Sequence, residues 1–541
     1  MNRSKGNRGQ KRQLSNDNSF KLPSECSVML RLLPLSKRQV PLFCTAVFAF
    51  LWAVVRAHVQ SITIDEADTY LAFVSRPQPF HWCAASNNHI LNSALMRLLT
   101  SVLGPSHISV RAPALLGAAL YIGVVYSLCS VITRRPVLQW ALFVCLVYNP
   151  LIFDYLVAAR GYGMAMALAL CAIAATAFCL RKAPEQQCRC LPIACGVSSV
   201  CLALSLAANF SFGFIDAAIL LSLLIWVGRS RNTNPHVGLV PVAAVFILPG
   251  LLATLFLTAN ALLTWPKGQL WFGATSLQET FRSIIDASLY QLNPNIVNPL
   301  IYPFLNAAKQ ILFPLLAVFS IWRLFTILGN RRGFADLRTR WRLGLGLVLS
   351  SAMILAVTAH WVCFHWFQLP LPKERTGIYL VPMFMLSAGI LAAVPARHRL
   401  GVISRVALMA VLCAHALYFI LCLRLEYFRE WKWNADVRQA YDVVAYYNHK
   451  YGVRTVPTTW MYVAGLNFYR SVSGHESLDA FRSFDPLLPG EALYVLWRVS
   501  SEAFIVQHRL KVVYHGEISD IVVAIRPGLE KGSESGGAIR H

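Results

Sequence analysis

Charge is scarce in this chain. Only 14% of its 541 residues are Asp, Glu, Lys or Arg, against 56% hydrophobic. Soluble proteins carry about 25% charged residues, so no water-soluble globule could solvate such a surface. Acidic residues are the rarer kind: 25 Asp plus Glu stand against 49 Lys plus Arg, a net charge of +24. Fourteen cysteines are present, yet no two have CxxC spacing, and none follows Arg424. A zinc ribbon or a disulfide framework is therefore not expected. No short-period repeat is visible, and the first apolar stretch lacks the flanks of a removable signal peptide.

Long apolar runs dominate what remains. A membrane-spanning helix needs about 20 mostly apolar residues. Eleven stretches qualify: 40–58, 112–131, 137–157, 162–180, 191–210, 212–228, 237–259, 304–326, 343–362, 376–394 and 401–423. Taking the N-terminus as cytoplasmic, the inner joins hold 23 Lys and Arg and the outer joins 8. The positive-inside rule then predicts N-inside and C-outside. The basic excess is read as charge of inner loops facing anionic lipid, not as a nucleic-acid site.

The expected fold is an all-α polytopic membrane protein with a small C-terminal α/β domain outside the membrane. Residues 1–36 read as a basic, disordered cytoplasmic tail, 37–423 as the transmembrane body, and 424–541 as the outer domain. In that domain, Asn434 and Gly452 read as the start and stop of a helix. Val453–Thr459, Ala492–Val499, Leu510–Tyr514 and Asp520–Ile525 read as strands, with Pro457 pushing its strand to a sheet edge. Two outer loops are long, 59–111 and 260–303. The first carries a helical pattern after His89, with apolar residues at 91, 95, 98 and 99, expected at the membrane interface. The second carries Trp265, Trp271 and Phe272, a set suited to interfacial anchoring.

The sharpest chemical feature is Thr63-Ile64-Asp65-Glu66-Ala67-Asp68-Thr69-Tyr70, which places three carboxylates within four residues where the chain leaves the first span. Acids at a helix start are often only dipole partners. A carboxylate fixed at a membrane exit also suits a general base. Arg111 reads as a snorkelling side chain. Asp154 and Arg160 read as a charge pair fixing a turn, and Asp216 as an intramembrane acid of either structural or functional kind. Lys373 and Arg375, in Leu371-Pro372-Lys373-Glu374-Arg375-Thr376-Gly377-Ile378-Tyr379, have the wrong sign for an outer turn unless they meet a lipid phosphate. His360, Trp361, His365 and Trp366 precede that turn and read as an interfacial run.

These motifs resemble the GT-C type polytopic membrane glycosyltransferases. More narrowly, they resemble the bacterial protein-mannosyltransferase-like group, related to protein O-mannosyltransferases and lipid A aminoarabinose transferases. In that group the first outer loop opens with an Asp-Glu pair, matched by Asp65-Glu66. An Asn/Asp-x-His-Pro-Pro-Leu motif follows; Asn87-Asn88-His89-Ile90-Leu91 matches its Asn and His and has neither proline. Arg111-Ala-Pro113-Ala-Leu115-Leu-Gly117 and Ala159-Arg160-Gly161-Tyr162 match the next two motifs, and Pro372-Lys373-Glu374-Arg375-Thr376 resembles a Pro-x-x-Arg-Thr stretch.

The resemblance implies GT-C architecture and a glycosyltransferase that moves one hexosyl or pentosyl unit from a polyprenyl-phosphate donor. The acceptor, a lipid, polysaccharide or protein, would lie on the outer face of a bacterial plasma (inner) membrane. It implies Asp65 and Glu66 as catalytic residues, with Asp68, His89, Arg160, Tyr162, Lys373 and Arg375 binding substrate. Some members of the group hold a divalent metal near the acidic motif; no spacing in this chain assigns one. The competing reading is a flippase or transporter for a lipid-linked sugar. It accounts for the spans and the basic turn, and less well for acids clustered in a loop away from the bilayer midplane.

Overall fold

The computed structural model describes residues 39–75, 85, 87–230, 238–264, 272–329, 336–483 and 489–530. The tail 1–36, Trp265 and Trp271 lie outside the described residues. The described residues from Pro41 onward form one compact unit.

Helix is the dominant element because a backbone in hydrocarbon must satisfy its own polar groups. The body consists of α1 (Val40–Val59), α2 (Ile64–Thr69), α3 (Ile90–Leu103), α4 (His107–Ile132), α5 (Pro136–Val147), α6 (Pro150–Tyr155), α7 (Tyr162–Leu180) and α8 (Pro184–Ala208). It continues with α9 (Gly213–Ser230), α10 (Leu239–Thr264), α11 (Leu277–Ser288), α12 (Tyr302–Leu328), α13 (Leu337–Phe367), α14 (Leu380–Ala393) and α15 (Arg399–Leu421). Among the described residues nine helices are long and apolar enough to cross a membrane: α1, α4, α7, α8, α9, α10, α12, α13 and α15. The chain is thus an integral multi-pass membrane protein.

Two expected spans are shorter than read. Stretch 137–157 breaks between α5 and α6 at Asn149-Pro150. Pro150 has no N–H to continue the helix and disfavours helical backbone at the residue before it. Asn149 then restarts the chain, its side-chain oxygen accepting from the N–H groups of Leu151 (3.0 Å) and Ile152 (3.3 Å). Stretch 376–394 contributes only the 14 residues of α14, because Glu374–Gly377 forms a 3₁₀ turn.

α7 is the most enclosed of the long helices, whereas α10 presents most of its surface outward. Close approach to α7 depends on small residues. A Cβ at Gly117 of α4 would lie 2.8 Å from the Met164 nitrogen, the packing small residues permit between membrane helices.

The C-terminal region holds α16 (Val437–Tyr451), α17 (Trp460–Ser473) and α18 (Arg498–Gln507) with five strands: β1 (Pro457–Thr458), β2 (Arg482–Ser483), β3 (Leu493–Trp497), β4 (Lys511–His515) and β5 (Ile521–Ile525). The sheet order is β2-β1-β3-β5-β4. β1 is parallel to both neighbours, and the β3–β5–β4 pairings are antiparallel. Pro457 is therefore internal and not at the edge. The sheet tolerates it because the bond to β3 comes from the next N–H but one, Thr459 to the Val495 carbonyl at 3.0 Å. The expected helix ends at Gly452 (φ +67°) but starts at Val437, not Asn434. Asn434 is used elsewhere: its side chain accepts from the Ile64 N–H (3.0 Å) and donates to the Met461 carbonyl (3.2 Å). That bond ties the C-terminal region to α2. The two share one apolar core, in which Ile62, Ala67, Tyr70 and Met96 pack with Val437, Tyr441, Tyr462 and Phe468.

Candidate active site

The site begins with a capping box. Thr63 caps α2: its hydroxyl accepts from the Glu66 N–H (3.2 Å), and the Glu66 carboxylate accepts from the Thr63 N–H (3.0 Å). Such a reciprocal pair fixes a helix start. Glu66 is fully buried and held by Arg111 through two bonds, Nε to Oε1 at 2.9 Å and Nη2 to Oε2 at 2.7 Å. It also accepts from the Ala159 N–H at 2.8 Å. Burial opposes ionisation of this carboxyl, but the Arg111 charge and these bonds hold it below the usual carboxylate range. Arg111 spends its remaining donors on the Ala57, Gln60 and Ser61 carbonyls at the end of α1. Glu66 and Arg111 thus form the joint between α1, α2, α4 and the 159–162 turn.

Asp65 points the other way, with 21% of its side chain exposed. Its Oδ2 lies 3.7 Å from Arg160 Nε and 3.9 Å from Arg375 Nη1. Three residues far apart in the chain meet here.

Arg160 is buried and donates to the Thr69 hydroxyl (2.8 Å), the Asp65 carbonyl (3.3 Å) and the Asn87 side chain. Its turn is itself pinned: Asn92 donates to the Ala159 carbonyl (3.0 Å) and Asn209 to the Arg160 carbonyl (3.3 Å). Gly161 has φ +74°, and a Cβ there would sit 2.0 Å from the Ala208 carbonyl oxygen, so only glycine fits.

Arg375 arrives on the Glu374–Gly377 turn. Leu371, just before it, exchanges two backbone bonds with Ala274 (2.7 and 3.0 Å). Its guanidinium lies 4.2 Å from the centre of the Phe272 ring and pairs with Glu430, which also accepts from the Tyr155 hydroxyl.

The other expected residues fall around this centre. Asp68 is exposed on α2; partial desolvation and the nearby Asp65 raise its carboxyl above the ordinary range. His89 is the buried N-cap residue of α3, and neither ring nitrogen has a partner among the described residues. Burial, then the Arg160 and Arg375 charges, hold its imidazole well below the usual histidine range. Tyr162 packs edge-on to His89 (5.8 Å between ring centres) and to Tyr155 (4.7 Å). Lys373 is not at the Asp65 carboxylate; its ammonium pairs with Glu279 at 2.8 Å.

Asp154 does not pair with Arg160. It binds Arg56 of α1 at 2.7 Å and accepts from the Arg429 N–H at 2.8 Å. Asp216 lies buried in the first turn of α9, facing the Ser205 side chain. His360 stacks on Phe214 (4.2 Å) and His365 packs edge-on to Trp361 (4.4 Å), so the two are packed on separate aromatics. Among the described residues no three His, Cys, Asp or Glu side chains converge as metal ligands. Asp65, flanked by two guanidiniums, is a poor fit for a divalent cation.

Sequence reasoning missed Glu430, Tyr155, Glu279 and Arg429. Glu279 had a local signal, the Ser276-x-x-Glu279 start of α11, where Ser276 accepts from the Glu279 N–H at 3.1 Å. Glu430 had none.

Beside the Arg375 turn lies an apolar cavity of about 360 Å³ between α11, α12, α13, α14 and α15. Ile284, Leu380, Val381 and Phe384 line it, and a Cβ at Gly377 would touch Ile284 at 2.5 Å. Basic turn and apolar cavity are thus contiguous.

No protein-family model and no curated protein sequence matches the chain. Among solved structures it is similar to ArnT from Cupriavidus metallidurans in the apo state (11% identity, TM-score 0.49, covering 90% of this chain and 98% of that one). It is similar also to ArnT bound to undecaprenyl phosphate (12%, 0.48, 90% and 97%). A third is the arabinosyltransferase EmbB from Mycobacterium smegmatis (14%, 0.37, 85% and 44%).

Proposed function

We propose that this chain is a membrane glycosyltransferase that moves a sugar from a polyprenyl-phosphate donor to an acceptor hydroxyl on the outer side of the membrane. The observation that carries the reading is the position of Asp65, a part-exposed carboxylate within 4 Å of two guanidiniums. A proton acceptor and an anion site then adjoin, as displacement at an anomeric carbon bearing a phosphate leaving group requires. Asp65 takes the proton of the acceptor hydroxyl. Arg375 and Arg160 balance charge on the departing polyprenyl phosphate. Asp68, His89 and Tyr162 border the space for the sugar and acceptor, and Lys373 lies on the rim with Glu279. Glu66 places Asp65 through the capping box and does not touch substrate.

The apolar cavity beside the Arg375 turn supports a donor with a long hydrocarbon tail. The matches to the protein-mannosyltransferase-like motifs at Asp65-Glu66, Arg111–Gly117 and Ala159–Tyr162 point the same way. In this reading the nine long helices, with α5 plus α6 and α14, make eleven passes, N-terminus inside and C-terminus outside.

The test is turnover. Purified protein in lipid nanodiscs is incubated with a radiolabelled polyprenyl-phosphoryl sugar and an envelope acceptor fraction. Release of polyprenyl phosphate with label on the acceptor is expected. Movement of intact donor across a vesicle bilayer, with no release, would replace the transferase by a flippase.

A further inference from the structure

Two adjacent residues of the Arg375 turn pair in order with two adjacent residues of the strap joining α15 to the C-terminal region. Glu374 binds Arg429 at 3.1 Å, and Arg375 binds Glu430. Glu374 and Arg429 cancel each other. Around the site itself Asp65 and Glu430 balance Arg160 and Arg375, with Asp68 nearby. A carboxylate therefore already rests on the guanidinium that the reading above assigns to the donor phosphate.

That carboxylate cannot swing clear. Its second oxygen takes the Tyr155 hydroxyl. The preceding N–H, of Arg429, is bound to Asp154, which is locked to Arg56. The following residue, Trp431, is buried against Tyr155 and Phe428, with ring centres 5.6 and 6.0 Å away. An incoming phosphate can share Arg375 but stays beside a fixed negative charge.

We propose that Glu430 is a positioning residue that makes this anion site charge-selective: it accepts a lipid phosphodiester and disfavours a lipid phosphomonoester. The proposal rests on the transferase reading. The sugar donor is a diester with one negative charge; the product is a monoester, with about −1.5 to −2 at neutral pH. Repulsion from Glu430 scales with that charge, so it falls hardest on the product and hastens its departure. A carboxylate that only pinned the strap would weigh on both lipids alike.

The experiment uses the full-length protein in neutral-lipid nanodiscs with two probes, undecaprenyl phosphate and its methyl diester. E430Q keeps the side-chain shape and its bond from Tyr155 while removing the charge. It should tighten the monoester by about tenfold and the diester by only about three- to fivefold, since the repulsion relieved scales with phosphate charge, about −1.5 to −2 against −1. E430D, which keeps the charge, should retain the wild-type ratio. If E430Q folds poorly, Y155F, which loosens the carboxylate, should narrow the ratio in the same direction. Equal changes for both lipids, or none, overturn the role of Glu430 and leave the transferase reading standing. Failure of every variant and of the wild type to bind either lipid overturns both.

Discussion

Asp65 and Glu66 are neighbours in the chain and opposites in situation. One faces two guanidiniums with 21% of its side chain exposed, while the other is wholly buried under Arg111. A helix turns about 100° per residue, so adjacent carboxylates at the start of α2 necessarily look to different sides. Two different losses follow. Asp65→Asn should leave the thermal transition unchanged and lower turnover by about 10²–10⁴, the usual scale for a general base. Glu66→Gln removes one member of a buried ion pair and leaves Arg111 uncompensated, which costs about 3–5 kcal/mol. Turnover and melting temperature measured on both variants check this; normal turnover in Asp65→Asn would remove it as the base.

Arg375→Ala should weaken donor more than acceptor. The guanidinium is largely enclosed, over Phe272 and between Asp65 and Glu430. A hydrogen bond to a charged group is worth about 1.5–3 kcal/mol, which is roughly ten- to a hundredfold in donor KM or kcat/KM. Arg375→Lys should restore only part, because the fork geometry is lost. Lys373→Ala should matter less, since its ammonium is already engaged by Glu279 and stands about one-third exposed. Steady-state kinetics with donor and acceptor varied separately decide; an effect confined to acceptor KM would move the phosphate away from this turn.

What could be read from the sequence was local. The spans follow from composition, and the Thr63-x-x-Glu66 cap and the Gly452 stop are encoded within a few residues. The Asp65–Arg160–Arg375 meeting was legible only through motif resemblance, because the contacts span 95 and 310 positions of chain. By position in the chain Asp154 pairs with Arg160, six residues on. The break at Asn149-Pro150 turns α6 toward α1 instead, where Arg56 waits 98 residues back. Glu430 sits in an irregular strap with no periodicity, and its partner Tyr155 is 275 positions away. Pairings of that kind are decided by tertiary packing, which no local pattern records.

Stability should fall on acidification through His89. Its imidazole is neutral and buried, with its pKa in the folded protein well below the unfolded value near 6.5. The unfolded chain then binds a proton that the folded chain refuses. Stability from this group is complete above about pH 6.5 and is lost progressively as pH falls below it. His89→Gln keeps a polar side chain without the titration. The wild type should lose more of its melting temperature between pH 7 and pH 5 than the variant does; parallel curves would show that His89 is not the group responsible.

Gly161→Ala should be among the most damaging single substitutions in the chain. Gly161 lies between Arg160 and Tyr162 and adopts φ +74°. A methyl group there suffers twice. Left-handed backbone disfavours a Cβ by about 1–2 kcal/mol, and the new carbon would sit 2.0 Å from the Ala208 carbonyl oxygen. That oxygen belongs to the last residue of α8, which cannot retreat, because the next residue, Asn209, donates to the Arg160 carbonyl. The strain must therefore move the 159–162 turn, and with it the Ala159 N–H on Glu66 and the Arg160 guanidinium beside Asp65. Gly161→Ala should lower both melting temperature and turnover. Asn209→Ala, which frees the turn to shift, should lose less stability than Gly161→Ala and should soften its effect when the two are combined. Strict additivity in that double-mutant cycle would mean that the clash is absorbed elsewhere in α7.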